Sequence, residues 1–319
     1  MAHRPFRFGV HTSDAASGAE WAAAAQRYES LGFSTLLLRD HFDRQLAPIV
    51  AMTAAACATT TLRVGCLVYD NDYRHPLTLA KELATLDVLS GGRVEFGLGA
   101  GWMAPDYEQA GIPFDDPGVR VSRFEEAVQV VKALFADGPT NFTGSHYSIT
   151  GHEMYPTPVQ HGGPPLLVAG GGPRMLRIAA RHADIIGLLP VKKSNAEWAD
   201  QNVPDASAEA TDAKIRTIRE AAGERYDRIE LQLTVPFVVV TDDRPGVAAA
   251  IAGSLPADPS VPPADVDAIL STPYVLLGSQ DEICATLIER RERWDFSYYA
   301  FGSELVDTVA PIIARLAGK

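Results

Sequence analysis

Residues 62–98 of the chain read LRVGCLVYDNDYRHPLTLAKELATLDVLSGGRVEFGL. Leu62 to Val68 is a short run rich in β-branched residues and reads as a strand. Leu77 to Leu89 has helical character and stops at Ser90-Gly91-Gly92. Arg93 to Leu98 reads as the next strand. Many strand-sized runs of this chain are apolar along their length rather than alternating, which suits a parallel sheet covered on both faces.

The same alternation extends in both directions. Upstream, Phe6 to Val10 and Ser34 to Leu38 read as strands. Glu20 to Leu31, capped by Gly32, and Ala47 to Ala58 read as helices. Downstream, Gly99 to Pro117 reads as a loop with room for one helical turn and Val119 to Phe135 as a helix. Phe142 to Ile149 reads as an inserted hairpin. Strands follow at Leu166 to Ala169, Asp184 to Leu189, Ile229 to Val240 and Phe296 to Phe301. Helices follow at Met175 to Arg181, Asp205 to Ala222 and Leu305 to Leu316. Eight strands, alternating with helical sequence, predict an α/β fold, the (β/α)8 TIM barrel. A doubly wound sheet would require a glycine-rich fingerprint after the first strand, where Val10-His11-Thr12-Ser13 stands instead. At ~150 residues per domain, 319 residues suggest two domains, but a barrel uses a comparable length as one. The expectation is one domain over 1–319. The polar, proline-rich stretch 242–272 is an insertion, either a lid over the barrel mouth or a peripheral decoration.

Composition narrows the class. The chain is 46% hydrophobic and 21% charged, with Lys plus Arg 28 against Asp plus Glu 40, a net charge of -12. Such a surface argues against non-specific binding to nucleic acid or anionic membrane. Cys57, Cys66 and Cys284 are odd in number, widely spaced and without a CxxC pair, so neither a disulfide framework nor a structural zinc site is expected. The N-terminus lacks the apolar core of a signal peptide, and the longest apolar runs are strand-sized. The expectation is a cytoplasmic protein that does not enter the membrane.

In a barrel the reactive groups gather at the C-terminal ends of the strands. Those ends supply His11, Asp40, His41, Tyr69, Trp102, the run Ala169-Gly170-Gly171-Gly172 and the pair Lys192-Lys193. No HExxH, no GxSxG and no evident carboxylate pair is present. This set is rich in His, Gly and aromatic residues and poor in nucleophiles, which favours chemistry carried by a bound cofactor. Gly170 to Gly172 ahead of Pro173 could admit a phosphate to the backbone N–H groups of a helix start, or could be a plain tight turn. Trp102, flanked by Gly101 and Met103, is placed to line a cavity or to sit in the core.

The run Arg74-His75-Pro76, Leu86-Asp87-Val88-Leu89-Ser90-Gly91-Gly92-Arg93 and Gly97-Leu98-Gly99-Ala100-Gly101-Trp102 resembles the bacterial luciferase-like flavin monooxygenase superfamily. The resemblance extends from Phe6 through Ala300 and is weakest from Asp242 to Ser271. Asp40-His41-Phe42, Ala169-Gly170-Gly171 and the Asp184…Lys192 spacing resemble the glucose-6-phosphate dehydrogenases of its F420-dependent branch. By that resemblance His41 contacts substrate and deazaflavin, Gly170 and Gly171 hold coenzyme phosphate, and Lys192 helps to bind anions. It also implies a non-prolyl cis peptide behind the ring at Cys66–Leu67, and a homodimer, for which the small, apolar helix Ala47 to Ala58 is suited. The chain departs from those dehydrogenases at Trp102, where they carry a catalytic Glu, which puts a sugar phosphate substrate in doubt.

The implied function is hydride transfer between coenzyme F420 and a small organic substrate. His41 would serve as the proton-transfer group, since histidine as a residue type titrates near neutrality. Asp40 would orient it or contact the ring. Cys66, Leu67, Tyr69, Ala169, Gly170, Gly171, Gly172 and Lys192 would hold the cofactor, and His11 and Trp102 would shape the substrate pocket. The alternatives are an FMN-dependent monooxygenase using O2 on the same barrel, and a non-catalytic flavin-binding barrel.

Overall fold

In chain order the strands are β1 (Arg7–His11), β2 (Thr35–Leu38), β3 (Arg63–Asp70), β4 (Val94–Gly99), β5 (Thr140–Thr143), β6 (Ser148–His152), β7 (Leu166–Gly170), β8 (Ile185–Leu188), β9 (Glu230–Thr234), β10 (Phe237–Val240), β11 (Val275–Gly278) and β12 (Phe296–Gly302). The helices are α1 (Gly18–Ser30), α2 (Pro48–Ala58), α3 (Pro76–Ser90), α4 (Ala104–Ala110), α5 (Pro117–Leu134), α6 (Pro173–His182), α7 (Ala208–Ala222), α8 (Arg244–Ser254), α9 (Val266–Ser271), α10 (Gln280–Trp294) and α11 (Val306–Leu316). The computed structural model describes residues 3–191, 203–255 and 265–319. Eight strands close into a parallel barrel in the order β1-β12-β9-β8-β7-β4-β3-β2, the expected (β/α)8 fold. β5 and β6 form the expected antiparallel hairpin.

Strand alternation divides the core into two layers. Phe6, Phe8, Val10, Leu36, Leu38, Val64 and Phe96 face outward and pack beneath the helices. Leu37, Leu167, Ile185, Tyr298 and Ala300 fill the barrel interior, with Leu67, Val68 and Ala169 against them. Burying each large apolar side chain contributes about 1.5–3 kcal/mol. The strand starts are closed by charge. Arg7 donates to Glu230 at 2.6 Å and to Glu95 at 2.6 Å, while Arg63 donates to Glu95 at 2.6 Å. Burial works to raise the Glu95 carboxyl, but the charges of Arg7 and Arg63 outweigh it and hold it below the usual range.

The Leu86–Arg93 run also works at that end, away from the mouth. Buried Asp87 accepts from Gln160 N at 2.9 Å and from its Nε2 at 2.7 Å. Gly91 takes the left-handed conformation that ends α3, with φ 68°. The Arg93 guanidinium donates to the carbonyls of Ala56, Leu62 and Ser90. The most recognisable motif of the chain therefore fastens α2, α3 and β4 together.

Two expectations need correction. The single strand predicted over Ile229 to Val240 is broken at Val235-Pro236. β9 stays in the barrel, and β10 leaves it to pair in parallel with β11. The sequence reading left β11 and α10 unassigned; α10 starts at a capping box between Ser279 and Glu282. In the insertion, α8 and α9 pack on β11 around Ala248, Ile269, Val275 and Leu277, forming a satellite core. Residues 256–264 lie outside the described residues.

Candidate active site

The mouth is shaped first by β3. Its pairing with β4 slips between Cys66 and Tyr69, and the peptide bond Leu67–Val68 is cis. The non-prolyl cis bond thus lies one residue beyond the Cys66–Leu67 bond implied by the resemblance. Cys66 still pairs with Leu38 and Phe96 and keeps the outward register, and its side chain is buried in the outer layer. Leu67 and Val68 both face the barrel interior. The slip inverts the parity of everything after it. Tyr69 therefore points outward, its hydroxyl donating to Met52 Sδ at 3.3 Å, and does not reach the ring face expected of it.

β4 makes room for this irregularity. A Cβ on Gly97 would stand 2.4 Å from the Cys66 carbonyl oxygen and 2.7 Å from Val68 Cγ1, and one on Gly99 2.6 Å from Val68 Cγ2. Gly101 has φ +74°, and its Cβ would meet the Tyr107 hydroxyl at 1.8 Å and the Asp70 carboxylate at 2.6 Å. The Gly97-x-Gly99-x-Gly101 pattern follows from these close approaches.

Behind the mouth stands a network of carboxylates. Asp40 accepts a bidentate pair from Arg74, at 2.6 and 2.9 Å, and the Asp70 amide at 3.0 Å. Of the two roles expected of Asp40, orienting His41 or contacting the ring, the first falls to Asp106; the fixed partner of Asp40 is Arg74, whose guanidinium lies over the Tyr69 ring. Asp70 and Asp72 both lie 3.0 Å from the Tyr107 hydroxyl, and Arg123 clasps Asp72 at 2.7 Å through two nitrogens. Burial, then the charges of Asp72 and Asp40, push the Asp70 carboxyl up to about 6 against the pull of its hydrogen bonds.

His41 is held by Asp106, the second residue after Ala104 in α4. His41 Nδ1 lies 2.7 Å from Asp106 Oδ2, and the Tyr73 hydroxyl donates to the same oxygen at 3.1 Å. The His41 ring meets the Trp102 ring edge-on, centroids 5.7 Å apart at 87°. Phe42 stacks on Tyr73 at 4.5 Å. Sequence reasoning missed Asp106 and Tyr107; Asp106 sits 65 residues from its partner, in a stretch read as a loop with one helical turn.

On the far side, the interior is lined by Ala169, Gly187 and Ala300 and by a neutral polar group. Gln232 Nε2 donates to Thr234 Oγ1 at 3.1 Å, and Thr234 Oγ1 lies 3.4 Å from His11 Nε2. His11 thus lies where the sequence placed it, at the top of the barrel. At the end of β7, a Cβ on Gly171 would stand 2.1 Å from the Leu189 carbonyl, so that glycine is required by the neighbouring strand. Gly172 is the N-cap of α6 and, among the described residues, has no side-chain cap and no atom within 4 Å of its Cβ position. Its open side, the uncapped amides of α6 and Arg174 beside them suit a phosphate. Lys192 and Lys193 lie outside the described residues.

A model of the family described as luciferase-like monooxygenase matches residues 3–261. The chain belongs to that family. Among its relatives, the F420-dependent glucose-6-phosphate dehydrogenase of Amycolatopsis mediterranei is 28% identical over 202 residues, covering 57% of this chain and 60% of that one. The chain therefore spans about three fifths of that dehydrogenase. Two solved structures share the fold. An F420-dependent secondary alcohol dehydrogenase in complex with an F420–acetone adduct superposes with TM-score 0.73 at 19% identity, covering 98% of this chain and 99% of the other. The EDTA monooxygenase of Chelativorans sp. BNC1 superposes with TM-score 0.75 at 16% identity, covering 99% and 95%.

Proposed function

We propose that this member of the luciferase-like family is an oxidoreductase that transfers hydride between coenzyme F420 and a small organic substrate. The observation that carries the reading is the His41–Asp106 contact at the barrel mouth, edge-on to Trp102. The F420-dependent relatives support the choice of cofactor.

The deazaflavin, when bound, supplies the hydride chemistry. The chain supplies the rest. Gly172 and the first amides of α6 would hold the phosphate, with Gly170, Gly171 and Lys192 proposed beside them. Leu67 and Val68 would support the ring from β3, over the space opened by Gly97 and Gly99. A carboxylate only accepts, so Asp106 would accept a hydrogen bond from Nδ1–H of His41 and leave Nε2 as the exchanging site. Proton transfer to or from the substrate oxygen at Nε2 then balances the hydride at carbon. Trp102 shields that site from water.

The alternative, an FMN-dependent monooxygenase, is supported by the description of the family as luciferase-like monooxygenase. Parallel fluorescence titrations with F420 and FMN separate the two. Binding of F420 with no comparable binding of FMN is expected. Binding of FMN alone would overturn the cofactor assignment.

A further inference from the structure

β1 brings His11 into the barrel, because Arg7 and Gly9 of the same strand face inward while Phe8 and Val10 face outward. β9 brings Gln232 and Thr234 inward by the same parity, between outward Leu231 and Leu233. The two strands are separated in the barrel by β12, where Ala300 is the register partner of Thr234 and Gly302 that of His11. These two small residues let His11 and Thr234 meet across β12 at 3.4 Å.

The arrangement leaves one polar atom spare. His11 Nδ1 is buried and has no partner among the described residues. Gln232 and Thr234 satisfy each other and the opposite ring nitrogen. Burial, then the charge of nearby Arg39, pushes the His11 imidazole down to about 3. A ring that stays neutral carries one proton, so Nδ1 offers one donor or one acceptor according to the tautomer, and no charge. A buried polar atom without a partner costs free energy unless a ligand or water meets it. The rim above is aromatic: Trp102 is 40% and Phe42 47% exposed. The nearby ring and guanidinium surfaces include the exposed Arg39, which follows β2.

We propose that His11, backed by Thr234 and Gln232, is the subsite for an uncharged oxygen of the substrate, a ketone or alcohol oxygen on an apolar or aromatic skeleton, and that the site selects against phosphorylated substrates. The identification of this oxygen as the reacting one rests on the hydride-transfer reading above; the neutral subsite itself does not. The neutral trio meets a carbonyl or hydroxyl oxygen without the desolvation cost that an anion would face there.

Three probes with a shared phenyl group test this on the full-length chain, with and without F420: benzylacetone, hydrocinnamate and phenyl phosphate. Calorimetry is expected to show benzylacetone binding at least ~10-fold more tightly than either anion. His11→Leu is expected to weaken benzylacetone ~10-fold, with His11→Asn recovering part of that loss and Thr234→Val weakening it several-fold. If His11→Leu does not fold, His11→Asn and Thr234→Val carry the test. The proposal is overturned if an anion binds as tightly as the ketone, if the ketone does not bind, or if its affinity is indifferent to every one of these changes. Tighter binding of hydrocinnamate would assign the rim to Arg39 instead. Coenzyme affinity is read separately by F420 fluorescence. Loss of F420 binding with ketone selection intact refutes the hydride-transfer reading alone; F420 binding without selection refutes this subsite alone.

Discussion

His41 and Asp106 face each other at 2.7 Å although they belong to different βα units, His41 following β2 and Asp106 lying in α4. Asp106 is almost completely buried, and its Oδ2 also receives the Tyr73 hydroxyl. The carboxylate sets the imidazole's tautomer and orientation rather than touching substrate. Asp106→Asn is expected to lower kcat by on the order of 10²-fold while changing the F420 dissociation constant by less than ~3-fold. Steady-state kinetics with parallel fluorescence titration checks this. An unchanged kcat would remove Asp106 from the mechanism.

Asp40 predicts the opposite pattern. Its carboxylate is consumed by Arg74 and the Asp70 amide. Asp40→Ala leaves a largely buried guanidinium without its counter-charge, at a cost of about 3 kcal/mol. Denaturant unfolding is expected to show that loss. A variant with full stability and abolished turnover would instead return Asp40 to the catalytic role expected from sequence.

The glycines after β7 divide by the same kind of geometry. Gly171→Val would collide with the Leu189 carbonyl and disturb the fold, so it reports little about cofactor. Gly172 meets no atom of the described residues within 4 Å of its Cβ position. Gly172→Val is expected to cost the fold no more than about 1 kcal/mol while weakening F420 binding ~10-fold or more. Equal coenzyme affinity in a folded Gly172→Val protein would refute the phosphate assignment.

The legibility of this chain follows the range of its contacts. Strand and helix identities are local, and all eight barrel strands were legible from apolar runs and their punctuation. The Gly97-Leu98-Gly99-Ala100-Gly101 run flagged the mouth, although its cause, the irregular end of β3, was not visible. Parity was the point of failure. Counting alternate residues from Gly65 and Leu67 puts Tyr69 inside, but the slip after Cys66 turns it out to Met52. The partners of His41 and His11 were hidden because 65 and 223 residues separate them, a closeness that only the closed barrel creates.

Assembly gives a further proposal. α2 is apolar on its outer side, where Val50 is 71% exposed, and the neighbouring α3 presents Leu89, 64% exposed. A groove of about 280 Å³ lies between them, lined by Ile49, Thr53, Leu86 and Leu89 with Lys81 and Glu82. We propose that this flank forms a homodimer. Light scattering at micromolar concentration is expected to give twice the chain mass, and Val50→Lys with Leu89→Lys to give the monomer. A monomeric wild-type chain contradicts the proposal.

The last prediction concerns Asp70, whose carboxyl is pushed up to about 6 chiefly by burial, with Asp72 and Asp40 adding their charges. The unfolded chain releases this proton near the ordinary aspartate value of 3.8, whereas the folded chain keeps it until about 6. Between those values the folded state binds more protons than the unfolded one. Stability contributed by this group is therefore full below pH 3.8 and is lost as pH rises to about 6, a fall on the order of 3 kcal/mol. Asp70→Asn removes the ionisation and keeps an oxygen to accept the Tyr107 hydroxyl. Its stability relative to wild type is expected to improve steadily from pH 4 to pH 7 and then level. His11 acts in the reverse sense: its lowered value means the unfolded chain protonates first, so its contribution is lost as pH falls from 6.5 toward 3. The two slopes oppose each other in the wild-type curve, so the difference between wild type and Asp70→Asn is the quantity to measure, by urea unfolding at each pH. A difference independent of pH would show that Asp70 ionises normally beneath Gly101.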